Sequence, residues 1–307
     1  QRVWRVPWEQ VERALPKYGE RVRARMAQLG AAHPFIRTEY CLEELEAEGG
    51  LFPPQRLAQM QGDHPRRHRA EPGKRYALLI DVAGEEEAGT GPLAFASARR
   101  RDSTALTVVE IQLRASRSEL RESRGFLEAQ SSKLQALPVY RVVDRMAWTG
   151  EKHTALYARI VDLAREVWKA SAVVVDATGI GAGLASFLAA ELGERRAGQR
   201  AVTVIPFIFT AASKSALGWD FLALIDSGRF KEYADDSAAG TPEGRLTALY
   251  WEQLRATTYE TVAGLGKLLR WGVPEGRGHD DLVLSAALAA VLDGVDWRPR
   301  RAVGVGG

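Results

Sequence analysis

Four aspartates stand where runs of apolar residues meet loops. Asp81 closes Tyr-Ala-Leu-Leu-Ile-Asp, Asp176 closes Ala-Val-Val-Val-Asp, and Asp280 and Asp281 open a stretch, Leu282 to Leu292, that is apolar nearly all round. Continuous apolar runs of this length suit strands buried on both faces, and a helix apolar on every side must be buried. The ends of such elements are where α/β sheets carry their sites. If the two strands are neighbours and the helix packs across them, the carboxylates converge. Crowded anions repel and raise one another's pKa values. A divalent cation removes that penalty, and hard oxygen donors select Mg2+ or Mn2+. Two such ions, about 3.5 to 4 Å apart, can activate a water and stabilise the leaving oxygen of a phosphodiester. Each acid also has a structural role open to it: Asp81 and Asp176 can satisfy turns, and Asp280 can cap its helix. Composition and spacing leave catalysis and structure evenly matched.

The elements that must position these acids follow from the pattern along the 307 residues, of which 46% are hydrophobic and 26% charged. That balance is globular and allows one large domain or two modest ones. Residues 1–50 read as helical, interrupted at Pro16, and 51–75, with Pro53, Pro54, Gly62, Pro65, Pro72 and Gly73, read as a linker, so a boundary is expected near residue 70. Strands are expected at 76–81, 93–98, 104–113 and 139–144 as an antiparallel meander, then a helix over 155–169, a strand over 172–176 and a helix over 184–192. A strand over 202–209 and helices over 214–228 and 244–260 follow, the last carrying Tyr250, Trp251 and Tyr259. Strand, helix, strand order demands parallel pairing. The single cysteine, Cys41, cannot close an internal disulfide, and no apolar leader is visible, which favours a reducing intracellular compartment with Cys41 as inert packing.

In order along the chain stand Leu-Leu-Ile-Asp81-Val-Ala-Gly, Asp102-Ser-Thr-Ala-Leu-Thr-Val-Val, Val-Val-Val-Asp176-Ala-Thr-Gly-Ile-Gly and Gly-His279-Asp280-Asp281-Leu-Val-Leu-Ser-Ala. Together with Lys214 to Phe230, this set resembles the nuclease domain of a tailed-phage or prophage terminase large subunit, over roughly residues 75–295. The Gly-His-Asp-Asp-Leu element is its most specific part. The resemblance implies an RNase H-like α/β fold, a mixed central sheet flanked by helices, with a helical N-terminal appendage. It implies that Asp81, Asp176, Asp280 and Asp281 hold two Mg2+ or Mn2+ ions, Asp81 bridging both and Asp281 favoured over Asp280 as principal ligand. It further implies cleavage of double-stranded, concatemeric viral DNA during packaging, in the bacterial host cytoplasm and transiently at the procapsid portal, with no membrane partner. By the same resemblance, residues 1–70 are the C-terminal remnant of an ATPase domain with its linker, and 71–307 the nuclease. The parent protein would bring an ATPase domain, a small terminase subunit and a portal as partners. The chain has no Gly-x-x-x-x-Gly-Lys-[Ser/Thr] phosphate loop, so ATP hydrolysis by that route is not expected of it.

The formal net charge of +3 permits nucleic acid without requiring it. Arg99, Arg100 and Arg101, on an expected turn between strands, are candidates for sequence-independent phosphate contacts. His279 is a candidate for orienting a metal-bound water or touching phosphate, and Lys214 for reaching a phosphate or the leaving oxygen, each set against an ordinary helix-start role. Gly179-Ile-Gly181-Ala-Gly183 invites a dinucleotide reading, but Leu184 stands where the fingerprint needs its third glycine. Small residues there suit close packing against Asp176 instead. Three alternatives remain open: a resolvase or transposase-type nuclease of the same fold, an actin-like nucleotide-binding domain, and a non-catalytic DNA-binding module of the packaging motor.

Overall fold

The computed structural model describes residues 4–43, 50–83, 103–113, 138–194, 201–234, 240–262 and 268–297. Helices α1 (Trp8–Ala14), α2 (Pro16–Leu29) and α3 (Pro34–Glu39) form the N-terminal appendage, with Pro16 at the first position of α2, where its missing N–H costs nothing. Then come α4 (Pro54–Met60), β1 (Gln61–Pro65), β2 (Tyr76–Asp81), β3 (Ser103–Gln112), β4 (Val139–Thr149), α5 (His153–Asp162, prolonged by a π turn to Val167) and β5 (Ala172–Asp176). They are followed by α6 (Gly181–Gly193), β6 (Thr203–Phe207), α7 (Ala211–Asp226), β7 (Phe230–Ala234), α8 (Pro242–Ala256), β8 (Thr258–Val262), β9 (Leu268–Gly272) and α9 (Asp281–Ala287), which tightens into a 3-10 helix ending at Gly294.

Seven strands form one mixed sheet in the order β1-β7-β4-β3-β2-β5-β6. Strands β2, β3 and β4 form an antiparallel meander, but β2 pairs directly with β3 rather than through the strand expected at 93–98, and β5 and β6 run parallel to β2 on one side. On the other side β7 runs parallel to β4, and β1 parallel to β7. Side chains alternate across the sheet. Ala77, Leu79, Ala172 and Val174 face a core shared with buried residues of α7, α8 and α9, while Tyr76, Leu78, Ile80, Val173 and Val175 face a second core under α5 and α6.

Several expectations are corrected. Residues 51–65 are no linker: Leu51, Phe52 and Met60 lie in the first core, and β1 extends the sheet. The misleading prolines occupy sites that need no amide donor, Pro54 at a helix start and Pro65 at the end of an edge strand. Helix α8 ends at Ala256 rather than 260, and Tyr259 belongs to the unforeseen hairpin of β8 and β9. Strand β7 was also unforeseen, and Cys41 is exposed rather than packed. The strand expected at 93–98 lies outside the described residues. Among the described residues no helix is long and apolar enough to cross a membrane.

Strand β4 carries a bulge. Val108 pairs with Asp144 and Val109 with Val142, so Val143 is skipped and the alternation of β4 inverts beyond it. Arg145 thereby points under α8, where its guanidinium carbon lies 3.5 Å from the centre of the Tyr250 ring and its Nη2 bonds Glu232 of β7 at 3.0 Å. Arg145 is 1% and Glu232 3% exposed, so this ion pair is fully inside the protein. Removing one partner of a buried pair leaves an uncompensated charge, at a cost of about 3 to 5 kcal/mol. Arg145→Met is therefore expected to lower the free energy of urea unfolding by that amount. Exchanging Glu232 as well, for leucine, should restore most of the loss.

Candidate active site

Strand register brings the first two acids together. Ala77 through Ile80 pair in parallel with Ala172 through Val175, so the next step along both strands sets Asp81 beside Asp176. Neighbouring strands lie about 4.8 Å apart. Parity then decides the face: Asp81 follows Ala77 and Leu79, and Asp176 follows Ala172 and Val174, onto the side covered by α9. Both carboxylates are nearly enclosed, at 8% and 7% exposure.

Helix α9 delivers the other two. The Ser285 hydroxyl donates to the Leu79 carbonyl at 2.9 Å and lies 2.9 Å from Thr107 Oγ1, which pins the helix across β2 and β3. Its first residue, Asp281, accepts a 2.8 Å bond from the Ser103 amide at the start of β3. Asp280 precedes the helix and meets Lys214 of α7, whose Nζ lies 3.3 Å from its Oδ2 and 5.5 Å from the Trp271 ring centre. The Trp271 indole N–H donates to the Lys214 carbonyl at 2.7 Å, tying β9 to α7. Gly272 makes room for this contact, since a Cβ there would stand 2.7 Å from Asp280 Oδ2.

The electrostatics follow from the crowding. Asp81 is pushed well above the ordinary carboxylate range, first by burial and then by the negative charges of Asp281, Asp176 and Asp280, with Lys214 opposing. Asp176 is raised by burial and partly relieved by hydrogen bonds from Thr178 and the Val82 amide; its Oδ1 accepts from the Thr178 N–H at 2.8 Å. Asp176 thus does serve the turn as well. Gly181 packs on the Asp176 carbonyl so closely that a Cβ would overlap it, which explains the small residues after β5.

All four sequence-selected aspartates and Lys214 therefore meet at one sheet end. His279 stands beside them, lining a cleft of about 290 Å³ with Ser103, Thr149, Gln253, Arg277 and Asp281. Arg99, Arg100 and Arg101 lie outside the described residues. Ser103, Gln253, Trp271 and Gly272 were not foreseen; no spacing signal links them to the acids. Among the described residues no three His, Cys, Asp or Glu side chains are gathered closely enough to hold an ion as they stand. The donor chemistry nevertheless fits a hard divalent cation, because every candidate ligand is a carboxylate and three of them add to the cost of ionising Asp81, with Lys214 opposing.

A carboxyl whose pKa is raised on folding destabilises the folded chain as pH climbs from its unfolded value, about 3.9, through its folded one. Without metal, Asp81→Asn is accordingly expected to raise the melting temperature at pH 7 to 8, by about 2 to 4 °C for each kcal/mol relieved. The gain should vanish as pH falls below about 4. Thermal melts across pH in EDTA measure it.

No protein-family model matches the chain, and comparison with curated proteins finds no match. Among solved structures it is similar to the large terminase nuclease from thermophilic phage G20c with bound cobalt, at 18% identity and a TM-score of 0.50, over 80% of this chain and 98% of that one. The magnesium-bound structure of that nuclease gives 18% and 0.49 over 80% and 98%, and the large terminase nuclease domain of Thermus phage P74-26 gives 18% and 0.48 over 80% and 97%. At this identity the likeness is one of fold, and the fold is the RNase H-like one expected: a seven-stranded mixed sheet flanked by helices.

Proposed function

We propose that this chain is a divalent-metal-dependent endonuclease of the large-terminase kind, cutting double-stranded DNA. The observation that carries the reading is the convergence of four carboxylates from β2, β5 and the start of α9 on one sheet face, around a buried Asp81 that is costly to ionise alone. The shared fold with a terminase nuclease solved with bound cobalt supports it. Asp81, Asp176 and the Asp280–Asp281 pair would hold the ions, two Mg2+ or Mn2+. Such ions, when bound, supply water activation and stabilisation of the leaving oxygen.

The chain's own groups do the remaining work. Asp81 and Asp176 are held by strand register. Asp281 is held by the Ser103 amide. Lys214 spreads positive charge over Asp280 and stands ready to meet a phosphate oxygen. His279, on the rim of the cleft, is suited to orienting a water or a phosphate. Arg99 to Arg101 are proposed as duplex contacts without sequence preference. In the packaging context the substrate would be concatemeric viral DNA in the bacterial cytoplasm, handed over at the portal by an ATPase domain and a small terminase subunit. No ATP hydrolysis is proposed for residues 1–307.

The test is cleavage of supercoiled plasmid with Mg2+, Mn2+ or EDTA, alongside Asp81→Asn and Asp281→Asn. Metal-dependent nicking and linearisation should be lost in both variants and fall steeply with salt. A folded Asp81→Asn protein cutting at the wild-type rate would sink the proposal. Preference for four-way junctions over linear duplex would favour the resolvase reading.

A further inference from the structure

The first amides of a helix need acceptors, and an aspartate at the N-cap ordinarily supplies one by bonding the second or third helical N–H. At α7 and α8 the N-cap side chain does this: Thr210 accepts from the Ser213 amide, and Thr241 from the Gly244 amide. Asp280 holds the N-cap position of α9, yet its side chain makes no capping bond. Its backbone, at φ −115° and ψ 13°, is not extended as at the other two, and its carboxylate goes to Lys214. The buried amide of Leu282, second residue of the helix, donates instead to Gln253 Oε1 at 3.1 Å. Gln253 projects from α8 and is only 7% exposed.

We infer that Gln253 is a positioning residue: it caps α9 in place of Asp280 and so leaves the Asp280 carboxylate turned toward Lys214 and the acid cluster, an inference that rests on the acids being metal ligands. A buried N–H without an acceptor bears the full cost of its lost hydration. Were Gln253 to lose its oxygen, Asp280 would be drawn back to cap Leu282 and withdrawn from the cluster. The neutral amide also adds no further negative charge beside Asp281, as a carboxylate would.

The experiment is a double-mutant cycle on the full chain with Gln253→Met, close in volume but lacking the acceptor, and Asp280→Ala, read by calorimetric Mn2+ binding and by hydrogen exchange of the Leu282 amide without metal. Gln253→Met is expected to weaken Mn2+ binding about tenfold or more, in the range of outer-shell losses. Asp280→Ala should weaken it in the wild-type background but by less than about twofold further in Gln253→Met, the signature of coupled sites. The Leu282 amide should stay protected in each single variant and exchange freely in the double. Gln253→Glu, which keeps the acceptor, should preserve that protection when Asp280 is also replaced. Equal Mn2+ losses from Asp280→Ala in both backgrounds would overturn the inference, as would fast Leu282 exchange in Asp280→Ala alone. If the wild-type chain binds no Mn2+, the metal reading fails while the exchange pattern still decides the role of Gln253. If Gln253→Met does not fold, Leu282 exchange in Asp280→Ala and in Gln253→Glu/Asp280→Ala decides it.

Discussion

Mutual repulsion among carboxylates is the constraint around which the sheet end is organised. Asp81 and Asp176 sit side by side, almost without water, and α9 adds two more acids. Nothing about the folding of a sheet favours such a cluster. It persists because the strands that carry it are held by two hydrophobic cores, one on each face, and because local donors blunt part of the charge. The Thr178 and Val82 amides serve Asp176, the Ser103 amide serves Asp281, and Lys214 serves Asp280. Asp81 is as closely buried as Asp176 and has the least relief, so it is the position where a bound cation would change the energetics most.

Holding α9 against that repulsion falls to groups remote from the acids. Ser285 anchors the helix to the backbone of β2, two residues before Asp81. Helix α8 braces it from the other side through Gln253, and α8 is itself seated on the Arg145 guanidinium through Tyr250. A path of packed and hydrogen-bonded groups therefore runs from the buried ion pair of β4 and β7 to the first turn of α9. The hairpin of β8 and β9 closes the arrangement, with Trp271 and Gly272 setting where Lys214 and Asp280 meet.

The acids themselves were legible in the sequence because a doubly buried strand is a continuous apolar run, and a carboxylate at its end is conspicuous. The meander, the crossover helix and the all-apolar α9 announced themselves by the same periodicities. What stayed hidden has physical reasons. Phe230 to Ala234, Phe-Lys-Glu-Tyr-Ala, shows neither strict alternation nor a continuous apolar run over its five positions, so no periodicity marks it as a strand. Thr258 to Val262 follows α8 after a single residue with no Gly or Pro between, so the helix seemed to continue, although its β-branched and aromatic content was the available clue. Residues 51–65 were masked by prolines that sit where they do no harm. Gln253 acts on the acids only through a tertiary contact, which no local pattern encodes.

The bulge at Val143 acts on the strand as a frame shift acts on a reading frame. Before it, Tyr140 and Val142 look toward α8 and α9; after it, Arg145 and Ala147 do, while Met146 and Trp148 look toward α5. Both halves of β4 thus keep their apolar faces in register with different neighbours, although the residue count between them is odd. Were the same eleven residues to run without the bulge, strict alternation would put Met146 and Trp148 on the α8 side in place of Arg145 and Ala147, burying a bare guanidinium among the hydrophobic residues of the opposite core. One surplus residue in a strand, with no side-chain chemistry of its own, is what lets a charged anchor and a hydrophobic sheet occupy the same eleven positions.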